Sequence, residues 1–186
     1  NMKSYKNIAV FLMLMVFAHS ITLEGQIETT EVEAIELPNG WKISPVGKQI
    51  RVGDLPMKMV SHPSQNWVVV QNAGQSDHSL MVIDVKKRNV IDSMPLNKTF
   101  YGMCFNQKGN VLYASGGNNN WIEIFEFNKG KLLRKDTLIL GLPWPNRISP
   151  TDMVLSADES KLYVVTKEDS SIYAIQLSNK KVLAKT

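Results

Sequence analysis

The stretch "LSADESKLYVV", residues 155–165, reads as the end of one apolar run, a polar turn and the start of a second run. Two other stretches are built alike: "VSHPSQNWVVV" at 60–70 and "CFNQKGNVLYA" at 104–114. Aligning Met59, Met103 and Met153 puts "VVV" (68–70), "LYA" (112–114) and "LYV" (162–164) in register. A polar loop follows each, then "SLMVIDV" (79–85), "WIEIFEF" (121–127) and "SIYAIQL" (171–177). After the turns "KKRN", "NKGK" and "SNKK" come "VIDSM" (90–94), "LLRKDTL" (132–138) and "VLAKT" (182–186). The unit recurs after 44 and then 50 residues.

Each unit holds four short runs rich in β-branched and aromatic residues, with frequent alternation and turn residues between them, which predicts four strands. After residue 20 no stretch carries a 3.6-residue apolar period of helical length. A 40–50-residue period with four strands per period is the pattern of a β-propeller blade. A lone blade exposes two apolar faces, and radial stacking buries them. A β-sandwich or a stack of hairpins would not need the register to recur. The fold class expected is therefore all-β: a partial β-propeller of about three four-stranded blades, near residues 54–94, 98–139 and 148–186. "VGKQIRVG" at 46–53 reads as an N-terminal strand of the closing blade. A ring needs four to eight blades, so the expectation is of further blades beyond Thr186 and of an aggregation-prone isolated fragment.

Residues 1–20 read differently. Lys3 and Lys6 precede the apolar run "IAVFLMLMVFA" (8–18), and Ala18 and Ser20 form a small-x-small site. This is the pattern of a secretory signal peptide cleaved after Ser20, and the run is too short for a stable membrane span. Residues 21–45 are an N-terminal leader. Localisation is expected to be exported, periplasmic or extracellular. Without Lys3 and Lys6 the formal charge falls from +4 to about +2, and the remaining basic residues are interleaved with acids. That excludes nucleic acid as an expected partner. Cys104 is the only cysteine, so there is no internal disulfide, and in "YGMCF" it reads as a small core residue.

The motif at 150–186, with "LYVVT" at its centre, resembles the YVTN repeat of secreted seven-bladed propellers. "LPNGWKISPVGKQIRVGDLPM", "YASGGNNNWI" and "PWPNRISPT" resemble the N-terminal half of bacterial YncE-like propellers. The resemblance implies an exported binding or scaffold module recognising a ligand or protein partner on its channel face. Relatives of this kind are often joined to an alkaline-phosphatase-type phosphoesterase. The alternative is therefore the propeller domain of a larger secreted hydrolase, with its divalent metal in a downstream domain and no cofactor here. A lactonase-like enzyme is a further alternative, for which no residue set stands out.

In a propeller the fourth-to-first and second-to-third connections share one face, and here they are the longer, more varied ones. Candidate ligand-binding residues on that face are Trp144, Asn146, Arg147, Asn72, His78, Asn118, Asn120 and Tyr101. In "PWPNRIS" Trp144 is either an aromatic platform or a wedge between blades. Arg147 is either open to a carboxylate or phosphate or paired with an acid. "GGNNN" (116–120) reads as a tight loop using positive φ rather than a phosphate cradle, since a strand follows instead of a helix. His78 and His62 lie too far apart for metal-ligand spacing, and Asp77–His78 lacks a nucleophile. Asp54 and Asp152 are expected to anchor loops, with a channel metal as the second reading. "NKT" (97–99) fits a glycosylation acceptor, discounted for a bacterial resemblance. No catalytic or metal-binding residue is assigned.

Overall fold

The computed structural model describes residues 34–44 and 47–186. The expected signal peptide and most of the leader lie outside the described residues. The chain divides into units at 1–47 and 48–186. In the first, β1 (Ile35–Glu36) pairs with β2 (Lys42–Ile43). The leader's "PNG" carries this turn: Gly40 sits at φ 81° and Leu37 N–H bonds to the Trp41 carbonyl at 2.7 Å. Asn-Gly is a strong hairpin signal, and the sequence reading passed over it.

The second unit is three four-stranded antiparallel sheets. Blade 1 is β3 (Pro56–Ser61), β4 (Trp67–Asn72), β5 (Ser79–Asp84) and β6 (Asn89–Pro95). Blade 2 is β7 (Met103–Phe105), β8 (Val111–Ser115), β9 (Trp121–Asn128) and β10 (Lys131–Ile139). Blade 3 is β11 (Pro150–Leu155), β12 (Lys161–Thr166), β13 (Ile172–Gln176) and β14 (Lys181–Lys185). The register repeats to the residue: Met59 faces Val70, Met103 faces Ala114, and Met153 faces Val164. Each third-to-fourth ladder carries a bulge at the matching place, opposite Val82–Ile83, Ile124–Phe125 and Ala174–Ile175. First strands stand side by side, β7 against both β3 and β11. These features make the unit a partial β-propeller.

Of residues 46–53, expected as a strand, the described 47–53 form no ladder. A strand exists by pairing, and each described sheet of this unit is complete at four strands without them. Instead Ile50 and Val52 flank a cavity of ≈ 400 Å³ against Met59, Val70 and Ile83 of blade 1.

Between blades 1 and 2, Val69, Leu80 and Val82 pack on Leu112, Phe125 and Phe127. His62 closes the edge of this interface, its ring 5.6 Å from Trp67, 5.3 Å from Phe105 and 5.2 Å from Phe127. Burial lowers its pKa below 6.5, though a hydrogen bond that the ring donates to the Gly109 backbone opposes this. Between blades 2 and 3, Tyr113, Ile122 and Leu138 pack on Met153, Leu162, Val164 and Tyr173. The matching face of blade 3 is uncovered: Ile122 is 0% exposed, while its equivalent Ile172 is 48% exposed. Val154, Tyr163, Val165 and Leu183 are exposed there too. Tyr113 and Ile122, the blade 2 equivalents of Tyr163 and Ile172, are buried against blade 3, so this face of blade 3 is an open apolar face of the kind that packs between blades.

Candidate functional site

The connection between blades 2 and 3, residues 140–149, is held by one side chain. Asn120 ends the 3₁₀ turn Gly117–Asn119 in the left-handed region, at φ 58° and ψ 37°. Asparagine tolerates that conformation better than most residues. Its Nδ2 donates to the carbonyls of Leu142 at 2.6 Å and Asn146 at 2.8 Å. Its Oδ1 accepts from the N–H groups of Ile148 at 3.2 Å and Ser149 at 2.9 Å. Its carbonyl accepts from Leu140 N–H at 2.9 Å. Asn120 is fully buried. The "GGNNN" loop is thus the tight polar turn that the sequence suggests, and its last residue is a clamp.

The tip of this loop is left to solvent. Trp144 is 61% exposed and Leu142 73% exposed, so Trp144 is no wedge between blades. The Arg147 guanidinium carbon lies 5.0 Å from the Trp144 ring centre. Among the described residues no carboxylate lies within 4.0 Å of Arg147. Asn146 folds back, its N–H and Nδ2 both donating to the Pro143 carbonyl. Asn118 is exposed, and its Oδ1 accepts from Ser149 Oγ at 2.9 Å. Trp144, Asn146, Arg147, Asn118 and Asn120 therefore belong to one loop pair.

The other candidates lie elsewhere. Asn72 is buried, with Nδ2 donating to Ser79 Oγ at 3.1 Å. His78 bonds the Gly74 carbonyl through Nε2 at 3.1 Å, and its Nδ1 accepts from Thr99 N–H at 2.8 Å. Asp54 anchors the loop of blade 1 as expected, accepting from Gln75 N–H at 2.8 Å and from Ser76 N–H at 3.2 Å. These backbone bonds hold its carboxyl below the usual range.

Tyr101 joins a grouping that sequence reasoning missed. Lys58 Nζ lies 3.2 and 3.1 Å from the two carboxylate oxygens of Asp152, 3.4 Å from Tyr101 Oη, and 4.5 Å from the Tyr101 ring centre. Burial pulls the Lys58 pKa down, but bonds to Asp152 and Tyr101 outweigh it and hold the ammonium above its usual range. Lys58, Gly102 and Asp152 occupy the same place in the three blades, each next before the aligned methionine. Gly102 (φ 129°) makes the span feasible: a Cβ there would lie 1.5 Å from the Thr151 carbonyl oxygen. The repeat alignment itself held this signal, as a Lys-Gly-Asp column.

Below this bridge a cavity of ≈ 550 Å³ runs along the first strands past Val60, Cys104 and Val154 toward Asn106, Ser156 and Glu159. It reaches the first-to-second turns, the face opposite to the one that the sequence favours. Burial pushes the Cys104 thiol up to about 12, so it stays protonated. Also missed was Glu123, buried at the first blade interface. Desolvation raises its pKa, and Arg134 and Trp121 draw it back in part. Arg134 Nη1 is 2.5 Å from Glu123 Oε2, close in charge but off hydrogen-bond alignment. Among the described residues no three of His, Cys, Asp or Glu converge.

No protein-family model and no curated protein matches the sequence. Solved structures do match the fold. A functionally unknown protein from Desulfotomaculum acetoxidans DSM 771 gives a TM-score of 0.59 at 17% identity, over 82% of this chain and 49% of its own. The β-propeller domain of Myceliophteria thermophila Cps50 (Swd1) gives 0.56 at 14%, over 70% of this chain and 43% of its own. The periplasmic gluconolactonase PpgL of Pseudomonas aeruginosa gives 0.52 at 15%, over 70% and 40%. This chain thus spans less than half the length of each of these structures. At such identities the likeness concerns the fold alone, and the fold that it shares is the β-propeller.

Proposed function

We propose that this chain is a recognition module of the YVTN, YncE-like kind, exported, whose contact element is the 140–149 loop. One observation carries the reading: a buried asparagine is committed entirely to fixing a loop whose tip exposes a tryptophan and a stacked arginine. Ordering a loop costs roughly 1–2 kcal/mol per residue, and here the order serves no packing of Trp144 or Leu142. A pre-ordered Trp/Arg surface binds without that cost at the moment of contact, and these residue types dominate binding hot spots. Residence within a larger hydrolase fits the same reading, since a recognition propeller can direct a separate catalytic domain.

The test is ligand protection of Trp144 from a collisional quencher across a panel of saccharides, peptides and small anions. A panel member that shields Trp144, and loses its binding in Trp144→Ala, supports the reading. Binding that is indifferent to Trp144→Ala across the panel contradicts it. Export is tested separately, by the N-terminal mass of secreted protein: a start at Ile21 is expected, and retention of residues 1–20 counts against it.

A further inference from the structure

The polar groups that the loop leaves open at its tip point to a ligand class. Several of its acceptors are consumed internally. The Leu142 and Asn146 carbonyls are taken by Asn120, the Pro143 carbonyl by Asn146, and the Asn118 side-chain oxygen by Ser149. Among the described residues the Arg147 guanidinium, the Asn118 Nδ2 and the Trp144 indole N–H have no hydrogen-bond partner, and on the acceptor side Asn146 Oδ1 is also open. Pro143 and Pro145 add no N–H of their own. An unpaired guanidinium beside mixed donors and an acceptor suits a ligand that carries negative charge and hydroxyl groups. Arginine meets a carboxylate through two parallel N–H donors. Arg147 covers one indole face, and the ring's exposure leaves apolar area for a second flat partner.

Resting on the recognition reading above, we infer that the Trp144–Arg147 platform takes a carboxylate-bearing saccharide. The indole stacks on the C–H face of a uronate ring, Arg147 takes its carboxylate, and the Asn118 amide donates to a ring hydroxyl. An acidic peptide shares the carboxylate but lacks a rigid ring with an apolar face.

The experiment titrates the 186-residue chain with an unesterified galacturonate oligosaccharide, following tryptophan fluorescence and calorimetry. Its methyl ester and polyglutamate serve as comparison ligands. Saturable binding is expected, weakened at least about tenfold by esterification, by Trp144→Ala and by Arg147→Gln, as loss of a charge-assisted bond or a stacked ring requires. Circular dichroism checks that both variants, altered only at exposed positions, keep the strand content. No saturable binding, equal binding by the ester, or unchanged binding in either variant overturns the inference. So does Trp144-dependent binding of polyglutamate as tight as that of the oligosaccharide, which assigns the platform to an acidic protein. If a different panel ligand binds through Trp144 while the uronate does not, the recognition reading stands and the saccharide assignment falls.

Discussion

Two connections occupy the same place in the repeat and are used in opposite ways. Residues 96–102 lead from blade 1 to blade 2, and residues 140–149 from blade 2 to blade 3. In the first, Leu96 is 8% exposed and Thr99 is buried. Thr99 accepts from Gln71 of blade 1, donates to the Ser115 carbonyl of blade 2 at 2.6 Å, and gives its N–H to His78. Gly102 lies tight against Thr151. This connection is spent on joining blades. The second is fixed as firmly, by Asn120, but its apolar tip is not packed. A loop that is both ordered and open is what a binding surface requires, whereas a loop that is ordered and closed requires only stability.

The largest effect should come from the closed loop. Gly102→Ala places a methyl group on the Thr151 carbonyl at a φ that alanine resists. It should cost at least about 4 kcal/mol, read as loss of soluble, cooperatively melting protein. A melt like that of the parent would break the account of the blade 2–3 contact. Asn120→Ala comes next. It strips partners from the buried Ser149 N–H, the part-buried Ile148 N–H and two carbonyls, and should cost about 2–4 kcal/mol by urea unfolding. A change under about 1 kcal/mol would mean that the loop holds itself.

A matched pair sharpens the comparison further. Leu96→Ala should cost about 2–3 kcal/mol by the same assay, and Leu142→Ala should stay within about 0.5 kcal/mol. Equal costs would show that the tip is packed after all. The edge of the blade 1–2 interface supplies a milder, pH-dependent effect. The lowered pKa of His62 means that its neutral form is favoured in the fold. That contribution is fully present above pH 6.5 and is lost as pH falls below it. Melting temperature should therefore drop between pH 7.5 and 5, and less so in His62→Phe. The same slope in the variant would assign it to other groups.

The sequence exposed the blades because their causes are local. Alternation and turn residues repeat in each unit, and even the "GGNNN" turn was readable from its Gly and Asn content. What remained closed to sequence reasoning depends on distance along the chain. Lys58 meets Asp152 across 94 residues, and Thr99 meets Gln71 across 28. For Trp144 the residue type was plain, but platform and wedge differ only in what surrounds the ring. His78 looks like a ligand residue by type, and only the structure shows that both its ring nitrogens bond neighbouring loops, while Asn72 gives Nδ2 to Ser79 and leaves its buried Oδ1 without a partner. Residues 47–53 have strand composition without a ladder partner, and composition cannot supply one.

Recognition by the 140–149 loop requires it to be ordered before any ligand arrives. Site-resolved hydrogen exchange of the Ile148 and Ser149 amides, both bonded to Asn120 Oδ1, tests this directly in the free protein. Exchange as slow as that of neighbouring strand amides, accelerating in Asn120→Ala, is the predicted result. Exchange at the rate of an unstructured chain in the unaltered protein would contradict it.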